Sequence, residues 1–326
     1  MPKVSVVSGF YNRGHLLERT VHSIADQTFK DYEFLLFDDA STDGTAKKMS
    51  EFHSLFAPGQ YKPIVFEQNV GFVNGLIDAI ERSSGEYIAI QGSGDVSLSE
   101  RLERQSEYMD SNPEVGVVGC WYYNVSEGVG VRRLRTPVAD QVDQRALLAA
   151  NIFSHGEVMI RRSVYERAGG YRSVFKFAQD YDLWLRIART AKFGTVQEAL
   201  YERYVQLDGV SYDPSKVVEQ SCYSVAARRL SQLPEPDESV ALDRFRSFGP
   251  EAVVDRSDAA VQKKVRTAAI RSLFFGSREN AEAIVDTGIA RRSERVALRL
   301  AIGAISTPWA APVRTVASRK LGIDRV

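Results

Sequence analysis

Five short apolar runs punctuate the chain up to Cys120: Val4–Val7, Phe34–Phe37, Ile64–Phe66, Tyr87–Ile90 and Val115–Cys120. They begin roughly thirty residues apart or slightly less, the length of one strand–helix–strand unit. Each run is short, continuous and rich in β-branched or aromatic residues, as expected of strands buried on both faces. The intervals carry helical periodicity. Leu17, Val21 and Ile24 share one face, and Asn12 reads as the cap of that helix. Leu76, Ile77 and Ile80 form a second stripe after Gly71. Leu102 and Met109 mark the buried side of a third helix over Ser99–Ser111, which stops at Asn112-Pro113. Such alternation predicts an α/β domain with a mainly parallel, Rossmann-like sheet flanked by helices.

From Arg132 to about Ser154 the pattern loosens, with a helical run over Asp140–Ala150. Further on, Leu183, Trp184, Ile187 and Ala188 form an apolar stripe, which places Asp180 and Asp182 in the first turn of a helix. A strand-like run over Gly194–Tyr204 closes the first domain, giving boundaries of 1–210 and 211–326. The second region reads as almost wholly helical, broken at Pro234-Glu235-Pro236-Asp237 and at Gly249-Pro250.

Composition narrows the setting without naming a chemistry. Basic and acidic residues both number 42, so no global charge points to nucleic acid. Two cysteines, Cys120 and Cys222, are too few for a disulfide framework or a zinc site and favour a reducing, cytoplasmic compartment. The start Met1-Pro2-Lys3-Val4 reads as entering a strand at once, with no room for a signal peptide. The charge imbalance is local rather than absent. Residues 291–326 carry eight Arg or Lys against Glu294 and Asp324, with Val296, Leu300, Ile305 and Trp309 between them. Three readings fit that tail: a solvated helical face, a basic amphipathic segment on an anionic membrane surface, or packing onto the catalytic domain or a second subunit.

The strand ends carry the candidate chemistry, because ligands of open α/β sheets bind outside the carboxyl ends of the strands. The run Tyr87–Ile90 ends in Gln91-Gly92-Ser93-Gly94-Asp95, so this strand delivers one carboxylate. Phe37-Asp38-Asp39-Ala40-Ser41-Thr42-Asp43-Gly44-Thr45 closes the second strand with paired acids, which serve either as a turn with a helix cap or as acceptors for a base or ribose. Ser8-Gly9-Phe10-Tyr11-Asn12-Arg13 closes the first. There Gly9 would let a base approach the backbone and Tyr11 could stack on it; a loop with one partly buried aromatic is the plainer reading.

Taken in order, Val4-Ser5-Val6-Val7…Tyr11-Asn12, Gln27-Thr28-Phe29…Tyr32-Glu33, Asp38-Asp39-Ala40-Ser41-Thr42-Asp43-Gly44-Thr45, Asn69-Val70-Gly71…Asn74-Gly75 and Gly85-Glu86-Tyr87-Ile88 resemble the inverting family 2 glycosyltransferases. The resemblance covers roughly residues 3–205. It implies a GT-A nucleotide-sugar-binding fold in which Tyr11, Asp39 and the region of Asn74 contact the nucleotide, while Asp38 and Asp43 shape the turn. Asp95 would meet a diphosphate-bound Mg²⁺ or Mn²⁺. Gln179-Asp180 before Tyr181-Asp182-Leu183-Trp184-Leu185 matches the family's acidic pair and makes Asp180 the general base. His155, in Ser154-His155-Gly156, matches a position beside the acceptor, and Trp184 is a candidate wall of the acceptor pocket.

Two positions depart from the pattern. The family's acidic Asp-x-Asp-Asp motif reads Gly92-Ser93-Gly94-Asp95 here, and Gln179 replaces the first acid of the later pair. The implied reaction is transfer of a sugar from a nucleotide-diphospho donor to a glycan or lipid-linked acceptor. The alternative is a non-catalytic nucleotide-sugar-binding module of the same fold. Other classes lack their motifs: no G-x-G-x-x-G follows the first strand, and neither G-K-[ST] nor G-x-S-x-G occurs where a P-loop or serine hydrolase needs it.

Overall fold

The computed structural model describes residues 1–126, 130–136, 141–205, 213–275 and 277–306. The chain divides into two compact units, with the division after Val205.

The first unit contains ten strands among its described residues: β1 (Val4–Phe10), β2 (Tyr32–Asp38), β3 (Tyr61–Val65), β4 (Tyr87–Gln91), β5 (Val96–Ser97), β6 (Val115–Ser126), β7 (Val131–Arg135), β8 (Gln141–Val142), β9 (Met159–Arg161) and β10 (Lys192–Tyr204). Its helices are α1 (Leu17–Ala25), α2 (Thr45–Met49), α3 (Phe72–Glu81), α4 (Arg101–Ser111), α5 (Gln144–Ala149), α6 (Arg162–Arg167) and α7 (Gln179–Ile187). The sheet runs β3-β2-β1-β4-β9-β6-β10-β5, with β7 on β6 and β8 on β10. The first four neighbours are parallel, and β10 runs parallel to β6. The short β9 lies antiparallel between β4 and β6 and joins the two parallel parts. The sheet is therefore mixed but mostly parallel, as the alternating runs predicted.

All seven residues of β1 and of β2 are buried, which is why these strands read as mainly apolar runs. The edge strand β3 begins three residues before the expected Ile64, because an edge tolerates Pro63 and Tyr61 stacks on Phe56 with ring centroids 5.0 Å apart. The helix expected over Asp140–Ala150 begins only at Gln144, where the Asp143 side chain accepts the Ala146 N–H at 3.0 Å. Gln141 and Val142 pair with β10 instead, and residue 140 lies outside the described residues.

Asn12 is not a helix cap. Its backbone is left-handed, at φ 51°, and its side-chain oxygen accepts the Thr42 N–H at 2.8 Å across the gap between two strand ends. A short 3₁₀ turn, Gly14–Leu16, leads into α1 in its place.

The second unit consists of the helices α8 (Pro214–Leu230), α9 (Glu235–Phe248), α10 (Ala259–Phe275), α11 (Arg278–Gly288) and α12 (Arg292–Ile305), together with one 3₁₀ turn, among its described residues. The breaks between α8 and α9 and between α9 and α10 fall at the two expected clusters, with Pro214 and Pro236 inside first turns where a missing N–H costs nothing. On α12, Val296 and Leu300 are exposed. Trp309 and the basic residues from Arg314 onward lie outside the described residues. No described helix is long and apolar enough to cross a membrane.

Candidate active site

The parallel strands end level with one another. Phe10 pairs with Asp38 and Ser8 with Gln91, so the loops after β1, β2 and β4 share one edge of the sheet. The Asp39 N–H donates to the Phe10 carbonyl at 2.9 Å, tying the first two loops together. Three non-glycine residues among those described are left-handed: Asn12 after β1, Ala40 after β2 and Ala178 at the head of α7. Such backbone costs on the order of 1–3 kcal/mol per residue and concentrates at functional sites.

Asp38 and Asp39 divide the work of the second loop. Asp38 is buried and accepts the Ser41 N–H at 3.0 Å, which closes the turn. Asp39 is 3% exposed, and its two oxygens accept the backbone N–H groups of Val70 at 2.7 Å and Gly71 at 3.1 Å. It thereby holds the entry to α3 against β2. A carboxylate offers about four lone-pair sites, so acceptor capacity remains beyond those two bonds. Asp43 accepts from Gly14 N–H and Thr45; against the upward push of burial, these bonds hold its carboxyl below the usual range.

Tyr11 is 49% exposed at the rim of this edge. Asn74 is also exposed, and its side-chain amide donates to the Val70 carbonyl at 2.7 Å, bracing the same loop that Asp39 holds. Gly9 has a different explanation from the one expected. A Cβ there would lie 2.1 Å from the Phe37 ring, and one on Gly75 would lie 2.5 Å from it. Both glycines make room for that aromatic ring, so packing alone accounts for Gly9.

The loop after β4 is closed by β10. The Tyr201 hydroxyl donates to one oxygen of Asp95 at 2.7 Å and accepts the Gly92 N–H at 3.0 Å. The Tyr204 N–H donates to the other Asp95 oxygen at 2.8 Å. From α1, the Thr20 hydroxyl bridges the Asp95 carbonyl and the Gly94 N–H, each at 3.0 Å. Arg101, fully buried, donates to Gln91 and Ser97 and to the carbonyls of Ile90 and Val158. Asp95 is 8% exposed as a result. Burial pushes its carboxyl up, and the Tyr201 hydroxyl, the Tyr204 N–H and the charges of Arg203 and Arg19 only partly offset that push.

This arrangement does not fit a cation held by Asp95. Asp95 would be the loop's sole carboxylate ligand and is turned onto β10, Gly92 and Gly94 contribute no donor, and no group of three His, Cys, Asp or Glu among the described residues is placed to hold a metal ion. The carboxylate expected to face the crevice instead holds the loop to β10.

Across the edge stands the head of α7. Asp180 is partly exposed in the first turn, and the Asn151 side-chain amide donates to its Oδ2 at 3.0 Å. His155 lies on a 3₁₀ turn, His155–Glu157, closed by a capping box in which Glu157 accepts the Ser154 N–H at 2.9 Å. Its Nε2 shares a hydrogen bond of 2.7 Å with the Tyr171 hydroxyl, and its ring meets Phe72 edge-on. Burial pushes the imidazole down, and the nearby Asp180 charge opposes that. Gly156 seats the turn against the β4 loop, since a Cβ there would lie 2.2 Å from the Tyr201 hydroxyl and 3.1 Å from the Gly92 nitrogen.

One further acid and one aromatic resolve plainly. Asp182 is buried in an ion pair with Arg186 at 2.7 Å, and Arg186 also donates to the Ala168 and Gly170 carbonyls, so the pair anchors the Gly-Gly loop. Trp184 is 0% exposed and packs against His155 and Phe193. It is core, not a wall of an open acceptor pocket; the apolar stripe that carries it faces inward.

A family model described as Glycosyl transferase family 2 matches residues 5–169, half of the chain, over the segment that builds this edge. The chain belongs to that family. It is a glycosyltransferase, and its curated relatives carry the same designation. Putative glycosyltransferase EpsE of Bacillus subtilis is 34% identical over 267 residues, covering 78% of this chain and 92% of the relative. Amylovoran biosynthesis glycosyltransferase AmsE of Erwinia amylovora is 29% identical, covering 56% and 68%. Among solved structures, S. aureus TarS 1-349 in complex with UDP aligns with a TM-score of 0.58 at 19% identity, covering 98% of this chain and 92% of that one. Mannosyltransferase PcManGT from Pyrobaculum calidifontis, in complex with GDP-Man and Mn²⁺, aligns at 0.54 and 18%, covering 99% and 88%. These likenesses establish the fold as GT-A.

The site residues that sequence reading missed are Tyr201, Tyr204, Thr20 and Asn151. The two tyrosines fall inside a run legible only as a strand, and Thr20 and Asn151 carry no local signature.

Proposed function

We propose that this glycosyltransferase inverts configuration, moving a sugar from a nucleotide-diphospho donor to a hydroxyl of a glycan or lipid-linked acceptor, with Asp180 as general base. The carrying observation is the state of the carboxylates. Asp38, Asp39 and Asp95 are buried in loop-closing hydrogen bonds, whereas Asp180 is partly exposed at the head of α7 with one oxygen oriented by Asn151. A carboxylate so placed takes the proton of the acceptor hydroxyl while that oxygen attacks the anomeric carbon. The bond from that carbon to the diphosphate oxygen breaks in the same step, its electron pair leaves with the nucleoside diphosphate, and the configuration inverts.

Tyr11, Asp39 and Asn74 form the nucleotide side of the site in this reading, with Gly9 behind them as packing. His155 lies beside the acceptor. The complexes of TarS with UDP and of PcManGT with GDP-Man support a nucleotide-sugar donor. The amylovoran relative supports a role in assembling a polysaccharide. The basic tail supports contact with an anionic membrane surface, where a lipid-linked acceptor would lie. That PcManGT is in complex with Mn²⁺ as well as GDP-Man is the precedent for a divalent cation, Mn²⁺ or Mg²⁺, in this fold. A second reading, a non-catalytic nucleotide-sugar-binding module, is favoured by Gly92, Gly94 and Gln179.

The test is Asp180→Asn. Transfer should fall by about 10²–10⁴-fold while nucleotide-sugar binding is retained. Full activity in the variant removes Asp180 as the base. Binding without transfer by the unaltered chain, across UDP-, GDP- and dTDP-sugars and a range of acceptors, selects the binding module.

A further inference from the structure

We propose that the Phe72 ring is the platform on which the donor's sugar stacks, so that Phe72 sets how much the sugar adds to donor binding. The inference rests on the donor reading above and deepens it.

Three observations converge on it. The first is position. Among the described residues of the first unit, Tyr11 and Phe72 are the two Phe, Tyr or Trp side chains that stand exposed, Phe72 at 42%. A lone apolar residue on a surface is ordinary. These two are not scattered. Tyr11 follows β1, and Phe72 opens α3 directly after the Val70-Gly71 pair that Asp39 holds. Both therefore stand at the strand ends, where ligands of open α/β sheets bind.

The second is the support behind the ring. Gly71 has φ 85° and ψ 146°, a backbone open to glycine and rarely to other residues. A Cβ there would meet nothing within 4 Å, so this glycine serves the turn that leads into Phe72 and not the space around it. Behind Phe72 lies the Phe37 ring, with centroids 6.1 Å apart, and Phe37 is itself seated against Gly9 and Gly75. The ring is thus ordered before a ligand arrives, which lowers the ordering cost of binding on its open part.

The third is reach. His155 meets Phe72 edge-on, with centroids 6.0 Å apart and an interplanar angle of 82°. The Asp180 charge acts on that same imidazole. Phe72 consequently bridges the Asp39 loop, on the nucleotide side, and the surroundings of the proposed base. In an in-line displacement the transferred ring fills that interval. Its anomeric carbon lies between the departing diphosphate oxygen and the acceptor oxygen whose proton Asp180 takes. A pyranose turns C–H bonds outward on its face, and their positive ends match the negative face of an aromatic ring. Its hydroxyls are left for the few polar groups that fix orientation in such a site.

Calorimetry with the full chain decides it, pairing UDP with UDP-glucose and UDP-GlcNAc, GDP with GDP-Man, and dTDP with dTDP-glucose. The quantity read is the affinity for a nucleotide sugar divided by that for its own diphosphate. In Phe72→Ala this ratio should fall by more than about threefold, while the diphosphate alone stays within about twofold. Phe72→Tyr keeps the ring and should hold the ratio. Phe72→Leu keeps apolar bulk over Phe37 without a flat face and should lose it as Phe72→Ala does. Thermal unfolding of each variant shows that the fold is kept. A smaller fall in Phe72→Ala overturns the proposal and leaves the donor reading in place. So does a ratio restored by Phe72→Leu, or a diphosphate that binds when none of its sugars does. Binding of no diphosphate and no nucleotide sugar overturns the donor reading and this proposal with it.

Discussion

The Tyr201 hydroxyl donates to Asp95 at 2.7 Å while accepting the Gly92 N–H at 3.0 Å, so one phenol on β10 closes the loop at the end of β4. Tyr201→Phe removes both bonds at once and leaves a buried carboxylate oxygen without its partner. The expected loss is about 1–3 kcal/mol. It should appear as a lower midpoint of chemical denaturation at unchanged slope. A midpoint equal to that of the unaltered chain would show that the loop does not depend on this phenol.

Asn151 and Asp180 form the second relationship with a measurable consequence. With Asp180 as the proposed base, the amide orients the carboxylate without reaching the reacting atoms itself, which would make Asn151 a positioning residue. Asn151→Ala should lower kcat by about ten- to a hundredfold and leave the donor KM in place. Asn151→Asp sets a like charge beside Asp180 and should move the acid limb of the kcat profile to higher pH. An unmoved limb would mean that position 151 supports the fold only.

His155 provides a pH dependence of stability. Burial holds its folded pKa below the ordinary value despite the Asp180 charge. A depressed pKa means that the unfolded chain binds more protons, so the contribution is present above about 6.5 and is lost as pH falls towards the folded value. Unfolding free energy should therefore drop more steeply on acidification in the unaltered chain than in His155→Gln. Asp95 and Glu157, both pushed upward by burial, act in the opposite sense but are common to the two proteins. Parallel curves would remove His155 as the group responsible.

The tail gives a prediction about location. Residues 291–326 carry eight basic residues against two acids, and Val296 and Leu300 on α12 are exposed. The full chain should co-sediment with vesicles containing phosphatidylserine, less so with neutral phosphatidylcholine vesicles, and less again as salt rises. A chain ending at residue 306 should lose much of this binding. Equal sedimentation of both chains would return the tail to packing.

The amino-acid sequence by itself determined the strands, the order in which they alternate with helices, the family, and the identity of the acids at the strand ends. These are local or near-local properties: a fully buried parallel strand is mainly apolar, and a turn of left-handed or capped backbone favours glycine, asparagine or aspartate. Only the tertiary structure decided which way those acids face. Asp95 turns inward because Tyr201 and Tyr204, more than a hundred residues later, bring donors to it. Trp184 is core, although its helix carries Asp180 at its head. Gly9 is small because the Phe37 ring lies against it. Asn151 matters because α7 places Asp180 within 3.0 Å of it. Hydrogen-bond partners and free volume are set by pairs distant in sequence, and no local pattern encodes them. The glycines at 92 and 94, read along the chain as missing acids, stand in three dimensions where a Cβ would run into Asp95 and Leu16.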